Sequence, residues 1–206
     1  MPVGDHYAEF SNTLAVSKRL RDKANNPGSG IEDSERFLLY EAIFLRVFRA
    51  YENFLEEVFL SYLTGEVDMS GNAIACFVAP RDRGHAREMV VSSQQFLDWT
   101  SPSVVMERSG IYINGGEPVR TAIAASQQYL LQAKKIRNHI AHNSKESERE
   151  FSKVVLQFLL TPPIQPPSVG EFLIKIPNAG PAKRKEILAY FMESLESTVR
   201  AIVVHP

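Results

Sequence analysis

From residue 34 to residue 63 the chain runs without a glycine or a proline, and that stretch limits what the whole can become. Those two residues interrupt helices, glycine by its backbone entropy and proline by its missing N–H. An uninterrupted run with apolar residues at helical spacing therefore predicts one long helix. At about 100° per residue, Phe37, Tyr40, Phe44, Leu45, Val47, Phe48, Tyr51, Phe54, Leu55, Val58, Phe59 and Tyr62 form a broad apolar arc. A helix with so wide an apolar face needs other elements around it, which makes it a core helix. Asp33 and Ser34 are N-cap candidates and Gly65 closes the run. Two carboxylates, Glu41 and Glu52, fall inside the arc. Each must find a cation, find several donors, or reach water at the arc's edge.

A second helical pattern covers residues 118–142. Val119, Ala122, Ile123, Ser126, Tyr129, Leu130, Ala133, Ile136, Ile140 and Ala141 share one face, with Arg137 in its middle. A guanidinium buried there costs roughly several kcal/mol unless it is paired or faces a wet cleft. Arg137 should therefore aim at a carboxylate, for which Glu52 is preferred, or at an anionic ligand. Asn143 and Ser144 are poor helix formers, and residues 147–150 have the form of a capping box that opens the next helix. His142 is thereby placed at a helix junction, able to turn toward Arg137, while His139 points to the polar side. On spacing alone, such basic residues could do no more than complement the helix dipole.

Arg137-Asn138-His139-Ile140-Ala141-His142 matches an R-x4-H signature with a polar residue directly after the arginine. In this it resembles the HEPN superfamily of small α-helical ribonucleases and nucleotide-binding proteins. Residues 136–143 are similar to its prokaryotic branch, often associated with RNA-targeting defence and toxin–antitoxin systems. The resemblance implies an all-α, HEPN-like helical bundle and a metal-independent endoribonuclease, a hydrolase that needs no cofactor. His142 would move protons, Arg137 would stabilise the charged transition state, and Asn138 would position phosphate or His142. Glu52, in Tyr51-Glu52-Asn53-Phe54-Leu55, resembles an acidic position on the long second helix of that family; with His139 it is an auxiliary candidate. The implied partners are RNA, a second copy of the chain that brings its motif to a shared cleft, and an antitoxin or regulatory protein.

A different class, a non-catalytic HEPN-like module that binds RNA, a nucleotide or a protein, uses the same residues. A metalloenzyme built on His139 and His142 ranks last. No third ligand lies at a convincing spacing, and the H-E-x-x-H form is absent.

At 206 residues the chain can bury one good-sized core, expected as a single domain over residues 1–206, with two small domains as the alternative. A formal net charge of −1 makes it no polycation, so any RNA contact must be local. A single cysteine, Cys76, excludes an internal disulfide and fits a reducing compartment. No apolar run has the length of a membrane span, and the first ten residues lack the apolar centre of a signal peptide. The expected location is the cytoplasm, with no membrane partner.

Elsewhere, residues 5–23 form a first helix that ends in a loop at 25–30. Residues 75–79 are a buried strand or a helix fragment. Arg81, Arg83, His85 and Arg87 surround Gly84 in an expected loop, either holding an RNA backbone or merely solvated. Residues 92–99 read as helical, with Phe96 and Trp99 as an apolar anchor, Trp99 being assigned to core rather than to base stacking. The glycines of 110–116 form a turn without the spacing of a phosphate-binding loop. A helix over 147–160 stops at Pro162 and Pro163, which with Pro166 and Pro167 make a stiff connector. An extended piece is expected at 171–176, leaving room for short extended segments in the connections. Pro181 is placed as the first residue of a last helix striped by Ile187, Leu188, Phe191, Leu195, Val199 and Ile202.

Overall fold

The computed structural model describes residues 1–204, and its regular elements are helices. In chain order they are α1 (Val3–Ala24), α2 (Asp33–Leu63), α3 (Arg83–Val91), α4 (Pro102–Tyr112), α5 (Val119–His142), α6 (Lys145–Leu159), α7 (Val169–Leu173) and α8 (Ile187–Val203). Among the described residues extended pairing is limited to two isolated bridges, Val67 with Ala73 and Cys76 with Ile113. The protein is all-α. No helix among the described residues is long and apolar enough to cross a membrane.

The chain divides into two compact units, and the long helices supply residues to both. The first holds residues 1–12, 50–131 and 195 onward. Its core is aromatic: Phe10 packs on Phe54 with ring centroids 6.0 Å apart, and Phe59 on Trp99 at 5.4 Å. Buried hydroxyls find partners there. Tyr62 donates to the carbonyl of Ile202 at 2.7 Å, and the hydroxyls of Ser126 and Thr198 meet at 2.8 Å.

Three expectations change in this unit. The basic run at 81–87 is not a loop, because Asp82 caps α3 by accepting from the His85 N–H at 2.9 Å. Its arginines are largely neutralised: Arg83 is paired with Glu57 and bonded to Ser61, while Arg87 reaches Glu56 and Glu57. Residues 92–99 are turns rather than helix. Ser92 takes a positive φ of 55° that stops α3, and Phe96 stays 74% exposed, so Trp99 alone is the anchor. The third is α4, a helix the sequence reading did not place; Pro102 sits in its first turn, where a missing N–H costs nothing.

The second unit comprises Thr13–Arg49 and Gln132–Ser194. Phe158 is its hub, with the rings of Phe172, Tyr190 and Phe191 each 5.5 Å away, and Phe44 meets Phe191 edge-on at 5.6 Å. The segment expected to be extended at 171–176 instead contributes α7, capped reciprocally by Ser168 and Glu171, with Phe172 and Leu173 fully buried. The helix comes so close to α2 that only glycine fits at position 170. A Cβ there would lie 2.5 Å from Cα of Phe37. Glu41, one of the two carboxylates in the apolar arc, accepts the Gly170 N–H at 2.9 Å, so a backbone donor meets its need. Pro181 does not start the last helix. Residues 181–184 form a turn held by the Arg184 N–H on the Pro177 carbonyl at 2.8 Å, and α8 begins at Ile187. Its expected stripe is buried throughout. At the start of α2, Asp33 is already helical rather than a cap, and Glu35 accepts from the Glu32 N–H at 3.0 Å.

Candidate functional site

The site candidates sit where α5 leaves the core. Ile123, Leu130, Ala133 and Ile136 on its apolar face are buried, but Ile140 is half-buried and Ala141 exposed. Arg137 is consequently half-buried rather than sealed in. Its guanidinium donates to Asn138 Oδ1 at 3.1 Å, and no ion pair involves it among the described residues. The carboxylate partner expected for Arg137 is therefore not what holds it. Glu52, half-buried on α2, lies in the first unit, near the phenol of Tyr51. Burial first, then the neighbouring Tyr129 and Glu52, pushes that phenol well above the usual tyrosine range.

His142 is the last residue of α5 and is exposed, and its side chain makes no hydrogen bond among the described residues. Helix termination follows directly: Asn143 takes a positive φ of 43°, and its N–H closes on the His139 carbonyl at 2.9 Å. Asn143 and Ser144 make the expected junction. The capping box, however, lies a turn earlier than the 147–150 pattern indicated, formed by Ser144 and Ser147. Glu150 is engaged elsewhere, pairing with Lys153 and, at 2.9 Å, with Lys135; the two ammonium groups hold its carboxyl at about 2.

His139 departs from its wheel position. It is half-buried, its imidazole stacked on Phe151 with centroids 5.0 Å apart and planes 20° apart, and its Nδ1 is 3.2 Å from Ser147 Oγ. That hydroxyl donates to the Ser144 carbonyl at 2.9 Å and accepts the Ser144 N–H at 2.9 Å. Ser144 Oγ also donates to it at 3.2 Å, and the direction of the His139 contact follows the tautomer of the imidazole. His139 and Asn143 also line a cleft of about 570 Å³, together with Glu148 and Phe151 from α6. Pro162, Pro163, Pro166 and Pro167 wall it from the connector. The sequence pattern attached no cleft to these prolines, because local periodicity does not reveal which helix a connector folds back upon. For the His139 and His142 pair, no third metal-ligating side chain joins them among the described residues.

Fold and site together define an all-α protein that ends one long helix in an arginine, an asparagine and two histidines, beside a proline-walled cleft. Compared with known proteins, the chain matches no family model, no curated protein and no solved structure.

Proposed function

We propose that the protein is a metal-independent endoribonuclease acting through Arg137 and His142. The observation that carries this reading is the half-buried guanidinium of Arg137, free of any ion pair among the described residues, on the helix that ends in the exposed His142. A guanidinium held by a neutral amide keeps its full charge for an anion, and its planar donors suit a phosphate. RNA carries its own nucleophile. An imidazole at His142 takes the proton of a ribose 2′-OH; the oxygen attacks the adjacent phosphorus; the P–O5′ bond breaks, and the proton passes from the imidazolium through water to the leaving O5′, which restores His142. Arg137 stabilises the negative charge that builds on the non-bridging oxygens. The products are a 2′,3′-cyclic phosphate and a 5′-OH.

One chain brings one arginine and one terminal histidine, and the resemblance to HEPN proteins implies two copies around one phosphate. The matching setting is cytoplasmic, in a defence or toxin–antitoxin system in which an antitoxin or regulatory protein restrains cleavage. Single-stranded RNA of mixed sequence, incubated with parent, Arg137→Ala and His142→Ala proteins in excess EDTA, tests the reading. Each substitution is expected to slow cleavage by about 100-fold or more. Parent protein that binds the RNA without cutting it would instead identify a non-catalytic binding module.

A further inference from the structure

The cleft beside the motif has a chemistry of its own. Phe151, Val155, Leu156 and the prolines give it apolar faces, the stacked His139 stands among them, and Asn143, Glu148, Ser152 and Ser168 supply polar ones. No lysine or arginine lines it, and its one ionised group is the carboxylate of Glu148. A phosphate would be repelled there, whereas a planar, uncharged, hydrogen-bonding ring would be welcome. The polar groups at its rim are open to a ligand. Among the described residues neither the exposed Asn143 side chain nor Nε2 of His139 has a hydrogen-bond partner. The volume of about 570 Å³ exceeds what one nucleobase needs and is in the range of small-molecule sites. His139 and Asn143, which line the cleft, stand three residues before and one residue after His142, so the cleft adjoins the end of α5 that carries His142.

We propose that this cleft is a base-reading subsite that takes one unstacked nucleobase of an RNA substrate and favours bases with an exocyclic amine. Glu148 sets the preference. Guanine offers a carboxylate two adjacent donors, its ring N–H and amino group; cytosine and adenine offer an amino group. Uracil's single N–H is flanked by two carbonyl oxygens that repel a carboxylate. Asn143 supplies donor and acceptor to the same edge, and stacking on His139 and the proline faces supplies affinity without sequence choice. The subsite rests on the ribonuclease reading for its biological use, but its binding can be measured apart from cleavage.

The test uses the full-length chain and the four free ribonucleosides, which lack a phosphate and so do not report on Arg137. Binding is read from the imidazole proton resonances of His139. Guanosine, adenosine and cytidine are expected to bind at least about fivefold tighter than uridine. Glu148→Gln should erase that preference, and Ser152→Trp, an exposed position on the rim, should block binding of all four. No binding by any nucleoside, or a preference unchanged in Glu148→Gln, overturns the subsite. So does protection of the cleft residues that grows with protein concentration, which would mean that a second copy of the chain covers them. RNA cleavage with no base preference in a protein that binds no nucleoside would remove the subsite and leave the ribonuclease reading intact. Nucleoside binding with the expected preference in a protein that cuts no RNA would do the reverse.

Discussion

His139 lies flat over Phe151, with ring centroids 5.0 Å apart and planes 20° apart, tying the last turn of α5 to α6. The two histidines of the motif thus have different situations: one is packed and hydrogen-bonded, the other, His142, closes the helix in the open. Replacing His139 by alanine removes a ring contact and the bond to Ser147. The expected cost is roughly 1–2 kcal/mol of stability, read by urea denaturation. RNA cleavage by His139→Ala should fall less than by His142→Ala. An inactive His139→Ala beside a fully active, folded His142→Ala would exchange the roles of the two residues.

Gly170 tests how tightly α7 is seated on α2. A methyl group at this position would lie 2.5 Å from both Cα and Cβ of Phe37, and the backbone of Phe37 cannot swing aside as a flexible side chain would. Gly170→Ala should destabilise the protein by about 3 kcal/mol or more, at the upper end of overpacking costs. A thermal midpoint equal to that of the parent would show that α7 does not dock as described.

His6 makes stability depend on pH. It is buried, and its Nε2 has no hydrogen-bond partner among the described residues. Burial, outweighing the opposing charge of Glu57 and aided by Arg83 and the terminal amino group, holds its pKa below the ordinary histidine value. The unfolded chain therefore binds a proton more readily than the folded one, and stability drops as pH falls from about 6.5 toward the lower folded value. Urea midpoints measured at pH 7.5 and pH 5.5 should fall for the parent, and the difference should shrink in His6→Gln. An equal pH dependence in both proteins would assign it to other groups.

If two motifs flank one phosphate, the chain is a homodimer in solution with an isologous interface of roughly 1,000 Å² or more. Light scattering at tens of micromolar should give twice the mass of one chain. A monomer with undiminished cleavage would remove the shared cleft from the mechanism.

Long, strongly periodic elements were legible in the sequence. The apolar arcs of α2 and α8, and that of α5 as far as Ile136, correspond to faces turned to the core, because in helices of this length the 3.6-residue period is repeated often enough to stand out. Short elements were not. α7 owes its helix to the burial of Phe172 and Leu173 and to its Ser168 cap, none of which a five-residue segment signals by periodicity. The start of α6 was misplaced because Ser147 and Glu150 satisfy the capping pattern, while the positive φ of Asn143 and the attraction of Lys135 for Glu150 select Ser144 instead. At the site, the composition of the terminal turn was readable, but the inward stacking of His139 depends on Phe151. A single-helix wheel contains no such partner.

The most direct measurement is the chemistry of RNA ends left by the purified protein in excess EDTA. The account predicts 2′,3′-cyclic phosphate and 5′-hydroxyl ends, formed at least about 100-fold more slowly by His142→Ala. Ends bearing a 3′-hydroxyl and a 5′-phosphate, or cleavage that appears only when a divalent metal is restored, would contradict it.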